Sequence, residues 1–148
     1  MRPTHHAVLS AGVGAAVWGV TKEPLAVPVA VASGVLIDAD HLLDQVWHFY
    51  LHKRPAALVV LHAWEWLAGL VVACIWLSFP WWLVAVTIGY AGHLATDQRF
   101  NRAYRMGYFI TYRAYHTFDI NRFMPEWRLD PPVESLIKEL RAIRRPWR

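Results

Sequence analysis

Imidazoles and carboxylates recur at four places in this chain of 148 residues, each beside an apolar segment. They are His5-His6, Asp38-Ala39-Asp40-His41, His62 with Glu65, and His93 with Asp97. On a helix, His93 and Asp97 stand one turn apart on a common face, and Asp38/His41 and His62/Glu65 nearly do at three residues. Each pair can reach one metal ion. Asp40 points elsewhere unless the helix unwinds there, in which case Asp38 and Asp40 could bridge two ions or bind different ones. Imidazole with carboxylate and no thiolate suits Zn²⁺ first, with Mn²⁺ or Fe²⁺ as alternatives. Cys74, the single cysteine, lies in an apolar run and has no partner for a disulfide or a thiolate site. The metal candidates are His5, His6, Asp38, Asp40, His41, His62, His93 and Asp97. They exceed what one zinc needs, so one ion or two ions sharing an aspartate are both open. Such a site lowers the pKa of a coordinated water to about 7 and holds attacking and leaving oxygens, which is hydrolytic chemistry suited to phosphate esters. Asp38 and Asp97 enter as catalytic candidates, and Glu65 as a general base or a residue supporting the ligands.

The elements that must position these groups are unusually apolar. Hydrophobic residues make up 56% of the chain, with nine Trp, against about 45–50% in soluble domains. Four apolar stretches fill the first two-thirds: Ala7 to Val20, Leu25 to Ile37, Ala56 to Phe79 and Trp81 to Ala95. Only the third comfortably exceeds the roughly 20 residues that cross a bilayer core. Thr21-Lys22-Glu23-Pro24 and Ser78-Phe79-Pro80 are tight breaks with proline placed to open the next helix. The expectation is an all-α fold, a four-helix transmembrane bundle over residues 1–97 with a cytoplasmic, partly helical extension over residues 98–148. The first apolar segment is read as retained and not as a cleaved signal.

Basic residues orient this bundle. Eleven of the 15 Lys and Arg residues but five of the 11 acidic ones follow Asp97. By the positive-inside rule both termini are cytoplasmic, as an even number of crossings requires. In an up-down-up-down bundle, the start of the first helix, the end of the second, the start of the third and the end of the fourth share one side. Those are the four places where the imidazoles and carboxylates occur, so they converge at the cytoplasmic face. Charged groups in membrane segments are costly and mark function when they neutralise one another or a cation.

In the extension, Tyr104, Tyr108 and Tyr112 recur every four residues among Arg102, Arg105 and Arg113. This fits either a helix lying at headgroup depth or tyrosines packed on the bundle. His116 and Asp119 either close over the site or form a solvated loop pair. Val133, Leu136, Ile137, Leu140 and Ile143 follow helical spacing ahead of Arg144 and Arg145, an amphipathic helix whose basic end meets anionic lipid. No recognition motif for nucleic acid accompanies these arginines.

The order of Thr4-His5, an apolar helix ending in Asp38-Ala39-Asp40-His41, His62 before a long helix, and His93 with Asp97 resembles the YdjM-like family of bacterial and archaeal inner-membrane metal-dependent hydrolases. The resemblance covers roughly Arg2 to Asp97. It departs from the family pattern at Ile37, where a proline is usual, and at Leu61-His62-Ala63, where Thr-His-Ser is usual. That family is distantly similar to zinc-dependent phospholipase C. The resemblance implies a hydrolase acting on a phosphorylated or lipid substrate. On the residues themselves, membrane lipid is the expected partner and the tail arginines are expected to grip phosphate. Its oligomeric state is left open. An ion or metal transporter, or a structural membrane protein with a buried polar cluster, are the alternatives.

Overall fold

A computed structural model describes residues 3–52, 57–101 and 104–124, together with Glu134 and Ile137. Every regular element among them is helical. The elements are α1 (Pro3–Thr21), α2 (Ala26–Leu36), α3 (Ala39–Val46) continued by a π-helical turn (Trp47–His52), α4 (Trp64–Trp76), α5 (Trp81–Phe100), α6 (Ile110–Tyr115) and a 3₁₀ turn (Ile120–Arg122). The all-α expectation holds for the described residues. The amphipathic segment expected after Pro132 lies largely outside them, as does the Lys53-Arg54 loop.

Prolines and left-handed residues make the turns. Pro80 precedes the first residue of α5, and its carbonyl accepts from Leu83 and Val84. Pro28 sits in the first turn of α2, where a missing N–H costs nothing because that donor has no intrahelical partner. Lys22, Ser78 and Phe79 take φ values of 63°, 58° and 56° to reverse the chain between helices.

Helices α1, α2 and α5 pack as a three-helix unit, and α4 lies against α5. Small residues allow this close approach. A Cβ at Gly14 would fall 2.6 Å from Val27 Cα, one at Gly34 would overlap Ser10 Oγ, and one at Gly89 would fall 2.6 Å from the Ala30 carbonyl. One apolar layer joins Val17, Ala26, Ala30 and Ala85. A second, nearer the polar end, gathers Ile37, Val59, Tyr90, Leu94, Tyr108, Ile120 and Phe123.

The helix boundaries differ from the sequence expectation in two places. The second helix does not stop at Ile37. It runs on through Asp38, so Ala26–Leu51 is 26 residues long and is, among the described residues, the one helix long and apolar enough to cross a membrane. The third apolar stretch is shortened, because residues 57–63 form an irregular loop and α4 has only 13 residues. Length and composition thus single out one crossing helix where four were expected. Polar and small residues such as Ser10, Gly14, Thr87, Gly89 and His93 make α1 and α5 less apolar than a simple span. The tyrosine-arginine segment is not one continuous helix either, since residues 104–109 turn before α6 begins.

Candidate metal centre

Asp38 lies where the long second helix tightens. Its amide bonds to the Val35 carbonyl and its own carbonyl accepts from His41, both i to i+3 contacts at 3.1 Å. This local 3₁₀ winding separates the directions of Asp38 and Asp40. Asp38 faces His41, with Nε2 to Oδ1 at 3.7 Å, and also His62 and His93, each 3.5 Å from the same oxygen. Asp40 faces the other way, onto the Leu61 amide at 2.7 Å and His62 Nδ1 at 3.0 Å.

From α5, one helical turn carries His93 and Asp97 into the same place. Asp97 Oδ2 lies 3.4 Å from His62 Nε2 and 3.5 Å from His93 Nε2, and its Oδ1 lies 3.1 Å from His6 Nε2 of α1. His6, His62, His93 and Asp97 are all at most 1% exposed. The rings confirm the density, with His6 stacked on His93 at 3.9 Å and His62 tilted against His41 at 4.6 Å.

Hydrogen bonding fixes which nitrogen faces the centre. His93 Nδ1 lies 2.7 Å from the Gly34 carbonyl, an acceptor only, so Nδ1 carries the proton. His62 Nδ1 faces the Asp40 carboxylate in the same way. His6 Nδ1 lies 3.3 Å from Thr96 Oγ1, whose own proton is directed to the Gly92 or His93 carbonyl, so Thr96 accepts from His6. With Nδ1 so engaged, His6, His62 and His93 turn Nε2 toward the carboxylate oxygens. His62 Nε2 and His93 Nε2 are 2.9 Å apart. Lone pairs facing lone pairs in a buried space require protons or a cation between them.

Two sets of donors fit a cation: His6, Asp38, His93 and Asp97, and Asp38, His41, His62 and Asp97, the atoms of each set within 4.8 Å of one another. Four donors about 2.1 Å from a tetrahedral ion lie about 3.4 Å apart, close to most separations given above. Asp38 Oδ2 is buried with no hydrogen-bond partner, which is the condition of an oxygen placed for a metal. Without a cation, His62 takes up the charge. Burial opposes its protonation, but Asp38, Asp40 and Asp97 together push its pKa up to about 10.

The loop that delivers His62 is held from both sides. Asp44 accepts from the Leu58 and Val59 amides at 2.8 and 3.0 Å. Arg113 of α6, 1% exposed, donates to the Leu58, Val59 and His62 carbonyls at 2.8, 2.6 and 2.9 Å. Tyr90 sets its hydroxyl against the Leu61 and Ala63 carbonyls. Val59 is thereby kept at φ 38°, a strained conformation for a β-branched residue. Burial lowers the Arg113 pKa, with Asp40, Glu65 and Asp44 pulling it back up. The Tyr108 hydroxyl, which accepts from Asn101 at 3.0 Å, is driven upward, chiefly by burial.

Of the residues singled out in the sequence, His6, Asp38, His41, His62, His93 and Asp97 converge, and Asp40 stands immediately behind His62. His5 is exposed and outside the cluster. Glu65 is also outside it: its carboxylate accepts from the Ile110 amide at 3.1 Å and from the Thr111 amide and hydroxyl at 3.0 and 2.9 Å. Arg113 is buried among carbonyls and does not reach outward for phosphate. His116 packs on Tyr112 and Tyr115, and Asp119 accepts from the Asn121 amide at the 3₁₀ turn. Asp44 was missed, although its position one turn after Asp40 is visible in the sequence. No family model, curated protein or solved structure matches this chain.

Proposed function

We propose that this chain is a metal-dependent hydrolase of phosphoester or phospholipid-like substrates, with the His/Asp cluster as its metal centre. The observation that carries this reading is the convergence of Nε2 atoms from His6, His62 and His93 on Asp38 and Asp97. Imidazole and carboxylate donors suit Zn²⁺, with Mn²⁺ or Fe²⁺ as alternatives. A divalent cation bound there supplies a nucleophile from water near neutral pH and polarises a phosphoryl oxygen. Asp40 and the Gly34 carbonyl hold the histidines in the ligating tautomer, and Asp44 and Arg113 hold the loop that carries His62. Glu65 anchors α6 over that loop, which gives it a positioning part and leaves water activation to the metal centre.

The proposal places α1, the Ala26–Leu51 helix, α4 and α5 in the inner membrane of a bacterium or archaeon, with both termini and the cluster on the cytoplasmic side and the YdjM-like hydrolases as its relatives. Two observations support this. At about 1.5 Å per residue, the 19 residues of α1 and the 20 of α5 match a hydrocarbon core about 30 Å thick. Large apolar side chains also face outward on all four helices, among them Val8, Trp18, Leu36, Val72, Trp76 and Ile88.

A transporter would need polar groups continuing along a path. One open groove of about 320 Å³ between α1 and α5 is instead walled by Val13, Val17, Val20, Val84 and Ile88 beside Thr21, and the candidate donors gather at one end of the helices. The test is elemental analysis of detergent-purified protein beside a His93→Ala, Asp97→Ala double variant, followed by assays on phosphoester and phospholipid panels. The expected result is bound transition metal in the parent alone, with hydrolysis that a chelator stops and Zn²⁺ restores. A parent that binds no metal even after re-addition overturns the proposal.

A further inference from the structure

The two donor sets are not alternatives for one position. If a single tetrahedral ion took His62, His93, Asp38 and Asp97, then His6 Nε2 would be left beside the centre without an ion. That atom is buried with Asp97 Oδ1, 3.1 Å away, as the polar group it faces. His6 is 1% exposed, so its Nε2 is enclosed by protein. Asp97 turns one oxygen to His6 and the other to His62 and His93. Asp38 likewise belongs to both sets. A carboxylate that faces two donor groups through its two oxygens is a bridge.

Charge permits a second ion. Asp38, Asp40 and Asp97 bring three carboxylates to one buried place and Arg113 faces Asp40 and Asp44 from behind, so two divalent cations at Asp38 and Asp97 would leave a net positive centre that attracts an anionic ligand such as phosphate.

Exposure then makes the two positions unequal. His6, His93 and Asp97 are sealed from solvent, while His41 is 30% exposed and Asp38 20%. We infer that the centre holds two divalent cations bridged by Asp38 and Asp97, one enclosed by His6 and His93 and one open to solvent beside His41 and His62. This rests on the metal-centre reading and extends it, because the open position is where a phosphoryl group can enter and where the ion exchanges.

The test uses the full chain in detergent, loaded with Mn²⁺ at controlled free concentration. Metal equivalents and the electron paramagnetic resonance spectrum are both recorded. The parent should hold two equivalents with an exchange-coupled spectrum, and brief chelation should remove one. His41→Ala, at a partly exposed position, should hold one equivalent that resists the same chelation and gives an uncoupled spectrum. His6→Gln should lose the chelator-resistant ion. A parent that saturates at one equivalent with an uncoupled spectrum overturns the two-ion inference while leaving the metal centre standing. A parent that binds none overturns the metal-centre reading itself.

Discussion

His62 Nε2 and His93 Nε2 lie 2.9 Å apart at the bottom of the cluster, with both Nδ1 atoms already committed, to Asp40 and to the Gly34 carbonyl. The two rings come from different elements, a loop and a helix, and nothing in local backbone preference brings them so close. Their partners behind the centre do. Under the proposed metal centre, the orientation of the ligands rests as much on Asp40 and the α2 backbone as on the ligating atoms.

Proton release on metal binding follows from this geometry. In the metal-free protein, burial disfavours a charged His62, but hydrogen bonds to three carboxylates raise its pKa to about 10. The folded value lies above the unfolded one of about 6.5. Protonated His62 therefore stabilises the metal-free fold fully below about pH 6.5, and that contribution is lost as pH rises through about 10. A cation must displace this proton, so metal affinity should climb with pH across that window. Calorimetric zinc titrations at pH 8 in buffers of different ionisation enthalpy should report about one proton released at this position. The release should vanish in His62→Ala, and an unchanged signal there would remove His62 from the account.

Asp40→Asn tests the support behind His62. The amide keeps an oxygen for His62 Nδ1–H and for the Leu61 amide but removes the charge that makes the imidazole a stronger donor. Zinc affinity measured by competition with a chromophoric chelator should fall about 10- to 100-fold with the fold intact. An unaltered affinity would show that the Asp40 contact is structural only.

Arg113→Met should act through the same loop. It removes the donors to three carbonyls and the cation that Asp40 and Asp44 face, while Val59 stays in its strained conformation. The loss should be about 2–4 kcal/mol in thermal or denaturant unfolding. Arg113→Lys should recover part of it, because an ammonium lacks the planar fork that spans three acceptors. Equal stability of all three proteins would refute the clamp.

Much of the centre was legible in the sequence because it is made of helix periodicity. His93 and Asp97 are one turn apart, Asp38 and His41 are three residues apart, and helix polarity in an up-down arrangement puts His6 at the same end. The loop at 57–63 was not legible. Its residues are apolar and continue the pattern of α4, yet their amides and carbonyls are claimed by Asp44, Tyr90 and Arg113, up to 55 residues away. Local pattern cannot register such partners. Glu65 shows the same limit: its spacing from His62 suggests a shared face, but His62 is not on the helix, and the carboxylate turns to residues of α6 instead.

Glycine packing sets how near α2 and α5 can come, and so whether Gly34 can receive the His93 proton. A Cβ at Gly89 would meet Ser33 Oγ and the Ala30 carbonyl inside contact distance. Gly89→Ala should cost about 1–3 kcal/mol and reduce retained metal, because separating the helices withdraws the Gly34 carbonyl from His93. Gly12→Ala is the control. Nothing lies within 4 Å of its added methyl, and helix propensity should make it stabilising by about 0.5–1 kcal/mol. Comparable losses for both would mean that close approach is not what Gly89 provides.

Glu65→Gln separates a positioning carboxylate from a general base. Both Glu65 oxygens are occupied by Ile110 and Thr111, so the substitution keeps an acceptor while removing the charge at the start of α6. The expected outcome is a loss of about 1 kcal/mol in stability, unchanged metal content and a kcat pH profile of unaltered shape. A general base would give the opposite pattern, with stability and metal content intact while kcat falls and the acidic limb of the profile disappears. That second result would return Glu65 to the chemistry and require α6 to release it when substrate binds.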